Sequence, residues 1–122
     1  MPVHFVLKRH LPGFEEYGDL YEAIKEGRKT VEYRDATPYW AKRLLSEEGL
    51  SRYNEELEYN KDKARPFLAL YRFTGEQLRH TEATFRVGYT RGPTLRATIL
   101  DIVWHLLTEQ FEIRIADVRE EP

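Results

Sequence analysis

The chain of 122 residues contains no cysteine, which excludes disulfide bonds, thiol nucleophiles and thiolate metal sites. Its four histidines, His4, His10, His80 and His105, are scattered, and no two are spaced i, i+4. The sequence also lacks a glycine-rich phosphate loop and a Gly-x-Ser-x-Gly nucleophile elbow. We therefore expect no metal site and no cofactor, and the corresponding enzyme classes drop out.

Long apolar runs are missing too, since none approaches the roughly 18 residues of a membrane span. The start, Met1 to Phe5, lacks the charged and apolar sections of a signal peptide, so we expect a cytoplasmic protein without a membrane partner. Acidic residues outnumber basic residues by 21 to 19, giving a net charge of −2. This balance argues against coating nucleic acid through the overall field, so any nucleic-acid site must be local.

The composition is that of one globular domain, residues 1–122, with 41% hydrophobic and 33% charged residues. We predict an α+β fold. An apolar stripe, with Phe14, Tyr17, Leu20, Tyr21 and Ile24 at steps of three and four, predicts a helix. Its regular part can begin at Asp19, which with Glu22 fits a capping box. It should end at Gly27, because glycine adopts the left-handed conformation of a helix stop without steric cost.

Further elements follow along the chain. Thr37 and Pro38 read as the N-cap and first position of a short helix to Leu45, with Trp40 and Leu44 turned inward. Residues 46–64 are dense in charge and predict a short surface helix in a mobile insertion, either a disordered excursion or a lid. From there the period changes to two. We expect strands at Phe67–Phe73, Ala83–Tyr89, Leu95–Trp104 and Phe111–Ile115, the first of them central because it is apolar on both faces.

The segment from Gly27 to Arg34 is the candidate site. On an extended chain Glu32 and Arg34 project from one face, whereas Val31 and Tyr33 project from the other and can enter a core. Lys29 lies at the mouth of the strand, where a turn can bring its ammonium toward the first pair. The same residues also fit a half-exposed strand with a solvated ion pair, worth roughly 0 to 1 kcal/mol.

Gly27, Lys29, Glu32 and Arg34 fill the four positions of G-x-K-x-x-E-x-R, and the segment resembles the motif of ASCH domains, a branch of the PUA-like β-barrels. The order of a first strand, a helix ending at Gly27, the motif strand and further strands is similar to that family over nearly all of the chain except residues 46–64. The resemblance implies a small PUA-like mixed β-barrel with one or two flanking helices. It also implies a cleft beside the motif that binds RNA or a nucleotide-like ligand.

The same resemblance implies a second activity, because small bacterial ASCH relatives are amidohydrolases that act on acetylated cytidine. Their lysine matches Lys29, but Glu32 stands at the position of their threonine nucleophile. A carboxylate cannot replace a hydroxyl in that acyl-enzyme step. If the protein is an enzyme, the catalytic residues would be Lys29 and Glu32, with Glu32 as general base on water and Lys29 stabilising the developing charge. A third possibility is a protein-interaction module with no small ligand.

For the binding function we expect Lys29, Glu32, Arg34, Arg86 and Tyr89 to contact the ligand. Glu32 can accept from an exocyclic amine, as carboxylates do from cytosine, while the cations meet phosphate or carbonyl oxygens. A barrel can also gather further strand arginines, Arg72 and Arg96, into the same positive cleft, although such arginines equally suit a solvated surface. Strand tyrosines can stack on bases, but they are more often core residues.

Overall fold

The computed structural model describes residues 1–61, 70–88 and 91–122. These residues form a mixed α+β fold, in which a curled six-stranded sheet makes a half-barrel accompanied by three helices. The strands are β1 (Val3–Leu7), β2 (Val31–Asp35), β3 (Leu70–Phe73), β4 (Glu82–Val87), β5 (Thr94–His105) and β6 (Gln110–Glu121). The helices are α1 (Leu20–Lys25), α2 (Pro38–Leu44) and α3 (Glu47–Asn60). The expected α+β class is confirmed at this level.

The strand order explains where the half-barrel stays open. The sheet runs β1-β4-β5-β6-β2, and β3 pairs with β5 beyond the end of β4. Among the described strands only β1 and β4 are parallel, whereas the other pairs are antiparallel. Strands β1 and β2 are thus the two ends of this path, and we call the gap between them the seam. The seam is where the motif strand β2 meets the N-terminal strand.

The concave face of the sheet holds the apolar core. Alternate residues of β5 point inward, so Leu95, Ala97 and Ile99 are buried while Leu100 is exposed at an irregularity in the pairing with β6. The largest fully buried side chains come from strands, from all three helices and from the connection between α2 and α3: Tyr53, Phe5, Phe73, Phe85, Phe111, Ile24, Leu44, Leu45, Leu95, Ile102 and Ile113. The half-barrel is therefore filled, and space for a ligand lies at its margins.

Local chemistry fixes α1 and its end, as predicted. Asp19 is the N-cap, and its side chain accepts a hydrogen bond from the Glu22 backbone N–H. Phe14 and Tyr17 precede the regular helix, in and beside a short 3-10 turn at Glu15–Tyr17. Gly27 has φ +78, the left-handed conformation that glycine favours. The helix therefore stops there and the chain turns toward β2.

Helices α2 and α3 follow the motif strand. Thr37 caps α2, and its side chain accepts from the Trp40 backbone N–H at 3.4 Å. Leu44 is buried, and Trp40 stacks on Phe5 with ring centres 5.5 Å apart. Helix α3 is longer than the predicted surface helix, and its Tyr53 is 2% exposed. This part of the presumed insertion belongs to the core; residues 62–64 lie outside the described residues.

The later strands differ from the sequence prediction in detail. The described part of the first of them, β3, begins at Leu70, and residues 67–69 lie outside the described residues. Among the described strands β3 pairs only with β5, and Leu70 is exposed, so the prediction of a central strand is wrong for this part. Strand β6 is longer than predicted because it continues to Glu121 alongside β5. In the described part of the chain, no helix is long and apolar enough to cross a membrane.

Candidate functional site

The register of β2 turns the motif carboxylate inward. Glu32 pairs with Ile113 of β6, a core residue, and is only 6% exposed. Val31 and Tyr33 pair with polar residues of β6 and are half-buried. The prediction that Val31 and Tyr33 enter the core is therefore wrong, because the pairing with β6 and not the apolar pattern decides which face of β2 is inside.

The end of α1 places Lys29 beside Glu32. After Gly27, the backbone N–H groups of Arg28 and Lys29 both donate to the Ala23 carbonyl, at 2.9 and 3.0 Å. This tight cap leaves Lys29 only 3% exposed. Its Nζ donates to the Val31 carbonyl and lies 3.4 Å from Glu32 Oε1. Burial lowers the pKa of Lys29, against the opposing attraction of Glu32.

The Glu32 carboxylate is only half satisfied. Its Oε1 atom accepts from the Tyr33 backbone N–H at 3.0 Å and from Lys29. Its Oε2 atom is buried and has no hydrogen-bond partner in the described structure. Arg34 Nη1 lies 3.3 Å from Oε2, but it donates to the Tyr33 carbonyl at 2.8 Å. A buried acceptor without a donor is costly, so Oε2 marks a place where a ligand can supply one.

Arg34 closes the seam. Its Nη2 donates to the Val6 carbonyl of β1 at 3.2 Å, so one side chain bridges the two end strands. Its guanidinium carbon lies 4.9 Å from the ring centre of Phe5 and 5.3 Å from that of Trp40. These contacts hold the guanidinium by carbonyls and aromatic faces. The ligand contact predicted for Arg34 stays a prediction, and the structure shows that the side chain braces the two end strands.

A cleft of about 340 Å³ opens beside the seam, and we call it the seam cleft. Its lining combines the motif residues with β1 and the segment before α1: Val6, Leu7, Lys8, Leu11, Phe14, Leu20, Lys29, Glu32, Tyr33, Arg34 and Gln110. The rings of Phe14 and Tyr33 lie 6.0 and 5.9 Å from the Lys29 ammonium. The cleft thus presents an ammonium, a carboxylate and an apolar aromatic wall in one place.

The remaining predicted residues lie elsewhere. Arg72 pairs with Asp101 at 2.9 Å on the outer face of the sheet, and Arg96 pairs with glutamates there. Arg86 is exposed and lines a different groove. The prediction that these arginines share one cleft with Lys29 and Arg34 is wrong, because they lie on the outer face of the sheet, whereas Glu32 and Arg34 pair with the core residues Ile113 and Phe111. Tyr89 lies outside the described residues.

Sequence reasoning missed part of the wall of the cleft. Phe14 and Leu20 belong to the apolar stripe that predicted the helix, and that pattern assigned them to the core rather than to a ligand surface. Leu11 and Lys8 lie in the connection after β1, where no pattern singled them out. Only the folded chain brings this connection against the motif strand. A signal was nevertheless present in Phe14, whose spacing extends the stripe beyond the Asp19 cap.

No family model, curated protein or solved structure matches the chain. The chemistry of the site is therefore inferred from its own side chains. Within residues 1–61, 70–88 and 91–122, no three His, Asp or Glu side chains are grouped so that they could hold a metal ion. The groups present can instead accept a hydrogen bond through Glu32 and neutralise or polarise an oxygen through Lys29.

Proposed function

We propose that the chain is a PUA-like barrel domain of the ASCH kind and that the seam cleft binds RNA or a nucleotide-like ligand. The motif residues Gly27, Lys29, Glu32 and Arg34 support this proposal by their positions. Gly27 makes the turn that delivers Lys29, and Arg34 braces the seam next to the carboxylate. Lys29 and Glu32 then line the cleft together.

The observation that carries the proposal is the buried Oε2 atom of Glu32, which lacks a hydrogen-bond donor among the described residues. The exocyclic amine of a base such as cytosine is a donor of the required kind. Lys29 can meet a carbonyl oxygen of the same base, and Phe14 and Tyr33 offer aromatic surface nearby. A carboxylate, an ammonium and aromatic rings are the groups that recognise a base edge and its face.

The size of the seam cleft limits what enters it. Ligand pockets commonly range from about 300 to 1,000 Å³. At about 340 Å³ the seam cleft lies near the lower bound, which suits one nucleoside-sized group. We therefore expect either a free nucleotide-like molecule or one unstacked nucleotide of a single strand to occupy it.

The test compares two isosteric substitutions at buried carboxylates. A labelled 12-nucleotide single-stranded RNA and cytidine are each titrated against the wild type, Glu32→Gln and Asp101→Asn. Asp101 is a matched control, because it is equally buried but lies outside the cleft. We expect Glu32→Gln to weaken binding at least tenfold, since a hydrogen bond to a charged group is worth roughly 1.5 to 3 kcal/mol. Asp101→Asn should leave affinity unchanged.

Three results would contradict binding in the seam cleft. The first is a wild type that binds neither RNA nor cytidine. The second is a Glu32→Gln variant that binds as tightly as the wild type while both variants keep the native circular dichroism spectrum. The third is equal weakening by Asp101→Asn, because it would trace the loss to stability.

A second candidate function is hydrolysis of an acetylated cytidine, and the burial-lowered pKa of Lys29 favours it. Glu32 would remove a proton from water as the oxygen attacks the acetyl carbon. Lys29 would stabilise the oxyanion and then give a proton to the leaving amine as the C–N bond breaks, yielding acetate and cytidine. Absorbance of acetylated cytidine should then change with the wild type and Asp101→Asn but not with Glu32→Gln. A stable absorbance with the wild type excludes this reaction.

A further inference from the structure

A second concavity lies on the outer face of the sheet, where Arg86 is found. This groove, of about 430 Å³, runs across β1, β4 and β5, and we call it the arginine groove. Strand pairing sets its members side by side: His4 opposite Thr84, Thr84 opposite Arg96, and Val6 opposite Arg86. Thr94 completes the polar lining. The groove is thus built by one face of three neighbouring strands.

The charge of the arginine groove is not balanced by its own lining. Arg96 is neutralised by Glu121 at 2.7 Å and Glu82 at 3.2 Å. Arg86, in contrast, is exposed and has no ion pair with any described residue. No carboxylate is among the lining residues, and the hydroxyl-bearing Thr84 and Thr94 also line the groove, with Thr84 hydrogen-bonded to His4. A planar guanidinium in a groove without a carboxylate suits an anion that offers several acceptor oxygens, as phosphate does.

The arginine groove adjoins the seam cleft. Val6 lines both, because it lies on the outer face of the end strand β1 and is 42% exposed. Arg86 also lines a smaller neighbouring cavity together with Arg91, and Lys8 lines the seam cleft. In the described part of the chain neither Arg91 nor Lys8 has an ion pair. Each of these three cavities is thus lined by at least one cation that has no ion pair among the described residues.

We propose that the arginine groove binds phosphodiester oxygens of a single-stranded RNA, with Arg86 as the main phosphate contact. The inference rests on the proposed function in one respect, that a nucleotide of the same strand occupies the seam cleft. It assigns the two cavities different tasks: the seam cleft recognises a base, and the arginine groove holds the backbone. The ligand class is thereby a phosphate-bearing strand and not a free nucleoside.

The test measures how the affinity for the labelled 12-nucleotide RNA depends on salt between 50 and 200 mM KCl. Each phosphate contact on a single strand adds about 0.7 to the slope of log K against log salt. Arg86→Ala should make the slope shallower by about this amount. Arg79→Ala is the charge-matched control, because Arg79 is exposed, has no ion pair among the described residues and lines neither cavity. An Arg86→Ala slope equal to that of Arg79→Ala overturns the proposal.

Further arms separate the two sites and the two sources of phosphate. Glu32→Gln should lower RNA affinity at every salt concentration without changing the slope, and Arg86→Ala should leave cytidine binding unchanged. If Glu32→Gln has no effect but Arg86→Ala still makes the slope shallower, base binding in the seam cleft is contradicted and phosphate binding in the arginine groove is supported. If Arg86→Ala weakens the binding of cytidine 5′-monophosphate as strongly as the binding of RNA, the ligand is a mononucleotide. The proposal that the groove binds the backbone of an RNA strand is then overturned. A wild type that binds no RNA overturns the proposal that the arginine groove binds phosphodiester oxygens.

Discussion

Two buried carboxylates among the described residues each lie between two cations, and the outer one has a hydrogen bond to each of its oxygens. Asp101, on the outer face of β5, is 5% exposed. Arg114 donates to both of its oxygens, at 2.6 and 2.9 Å, and Arg72 donates at 2.9 Å. The hydrogen bonds from Arg114 lower the pKa of Asp101, with support from the charge of Arg72. Both guanidiniums remain accessible to water, at 41% and 56%.

The inner carboxylate, Glu32, has the opposite arrangement. Its cations are withdrawn from water, since the Lys29 and Arg34 side chains are 3% and 19% exposed. The donors of Arg34 are directed at backbone carbonyls, and the Oε2 atom of Glu32 lacks a hydrogen bond among the described residues. Burial lowers the pKa of Lys29, which marks its ammonium as poorly solvated. The inner cluster has buried its charges and leaves one carboxylate oxygen without a hydrogen bond among the described residues.

This difference separates a structural ion cluster from a candidate site. Counting charges gives the same result for both, one carboxylate and two cations. Solvation separates them, because the outer cations pair with Asp101 and keep their water, whereas the inner groups have lost water and lack one partner. Unsatisfied buried polar groups persist where function requires them. The comparison therefore supports the proposal that Glu32 binds the ligand, and it predicts that Asp101 contributes to stability.

The largest expected effect comes from removing the cation that closes the seam. Arg34→Ala should lower the free energy of unfolding by about 3 kcal/mol, since it deletes two hydrogen bonds to carbonyls and two cation–π contacts. Arg72→Ala, at a mostly exposed side chain, should cost less than about 1 kcal/mol. Urea unfolding of both variants measures the difference. Equal losses would show that the inner and outer cations are equivalent.

The next effect concerns the outer carboxylate itself. Asp101→Asn should cost about 2 kcal/mol at pH 7, because it weakens charge-assisted hydrogen bonds from two guanidiniums. The exposure of both guanidiniums keeps the loss below that of a fully buried pair. Thermal and urea unfolding provide the measurement, with ligand affinity as the second readout. A loss of affinity without a loss of stability would reverse the assignment of Asp101.

The Asp101 contribution should also disappear in acid. The pKa of Asp101 is lower in the folded protein than in the unfolded chain, so the unfolded chain binds more protons as the pH falls. Its stabilisation is complete above the unfolded pKa, near 3.9, and is lost as the pH falls through the folded pKa. The unfolding free energies of the wild type and Asp101→Asn should therefore begin to converge below about pH 4 and continue to converge as the pH falls through the folded pKa. A constant gap down to pH 2 would refute the ion-pair origin.

Local chemistry explains what the sequence could predict. The Asp19 cap, the Gly27 stop and the Thr37 cap each depend on a side chain or φ preference within a few residues, and all three occur as expected. The grouping of Lys29 with Glu32 also follows from this short range, since a capped helix leads directly into the strand. Such features need no information from distant parts of the chain.

Long-range pairing explains what the sequence could not predict. Glu32 is inside because β2 pairs with β6, which lies about eighty residues further along the chain, and nothing in the motif encodes that register. Tyr53 enters the core from a helix whose composition is that of a solvated surface. The sequence around Arg86 alternates as a strand does, which does not say which face of the sheet is inside. The pairing of Arg86 with the exposed Val6 of β1 places it on the outer face. In each case the decisive partner lies on another strand or helix.

The smallest expected effect on stability is that of Glu32→Gln, below about 1 kcal/mol, because the amide oxygen can still accept from the Tyr33 N–H. Lys29 loses its counter-charge, but its pKa is already lowered by burial, and loss of the Glu32 attraction lowers it further. The wild type is more stable than Glu32→Gln because the charged Lys29 attracts Glu32. This difference in the free energy of unfolding should decrease as the pH rises through the folded pKa of Lys29, which lies below the usual lysine value of about 10.4. Urea unfolding of both proteins from pH 7 to 10.5 tests this. The difference between the wild type and Glu32→Gln should narrow at alkaline pH, whereas the difference between the wild type and Asp101→Asn should narrow at acidic pH. A difference in unfolding free energy that widens as the pH rises would show that the charge of Lys29 is not the source of the wild-type advantage. The contrast drawn between the inner and the outer cluster would then lose its support.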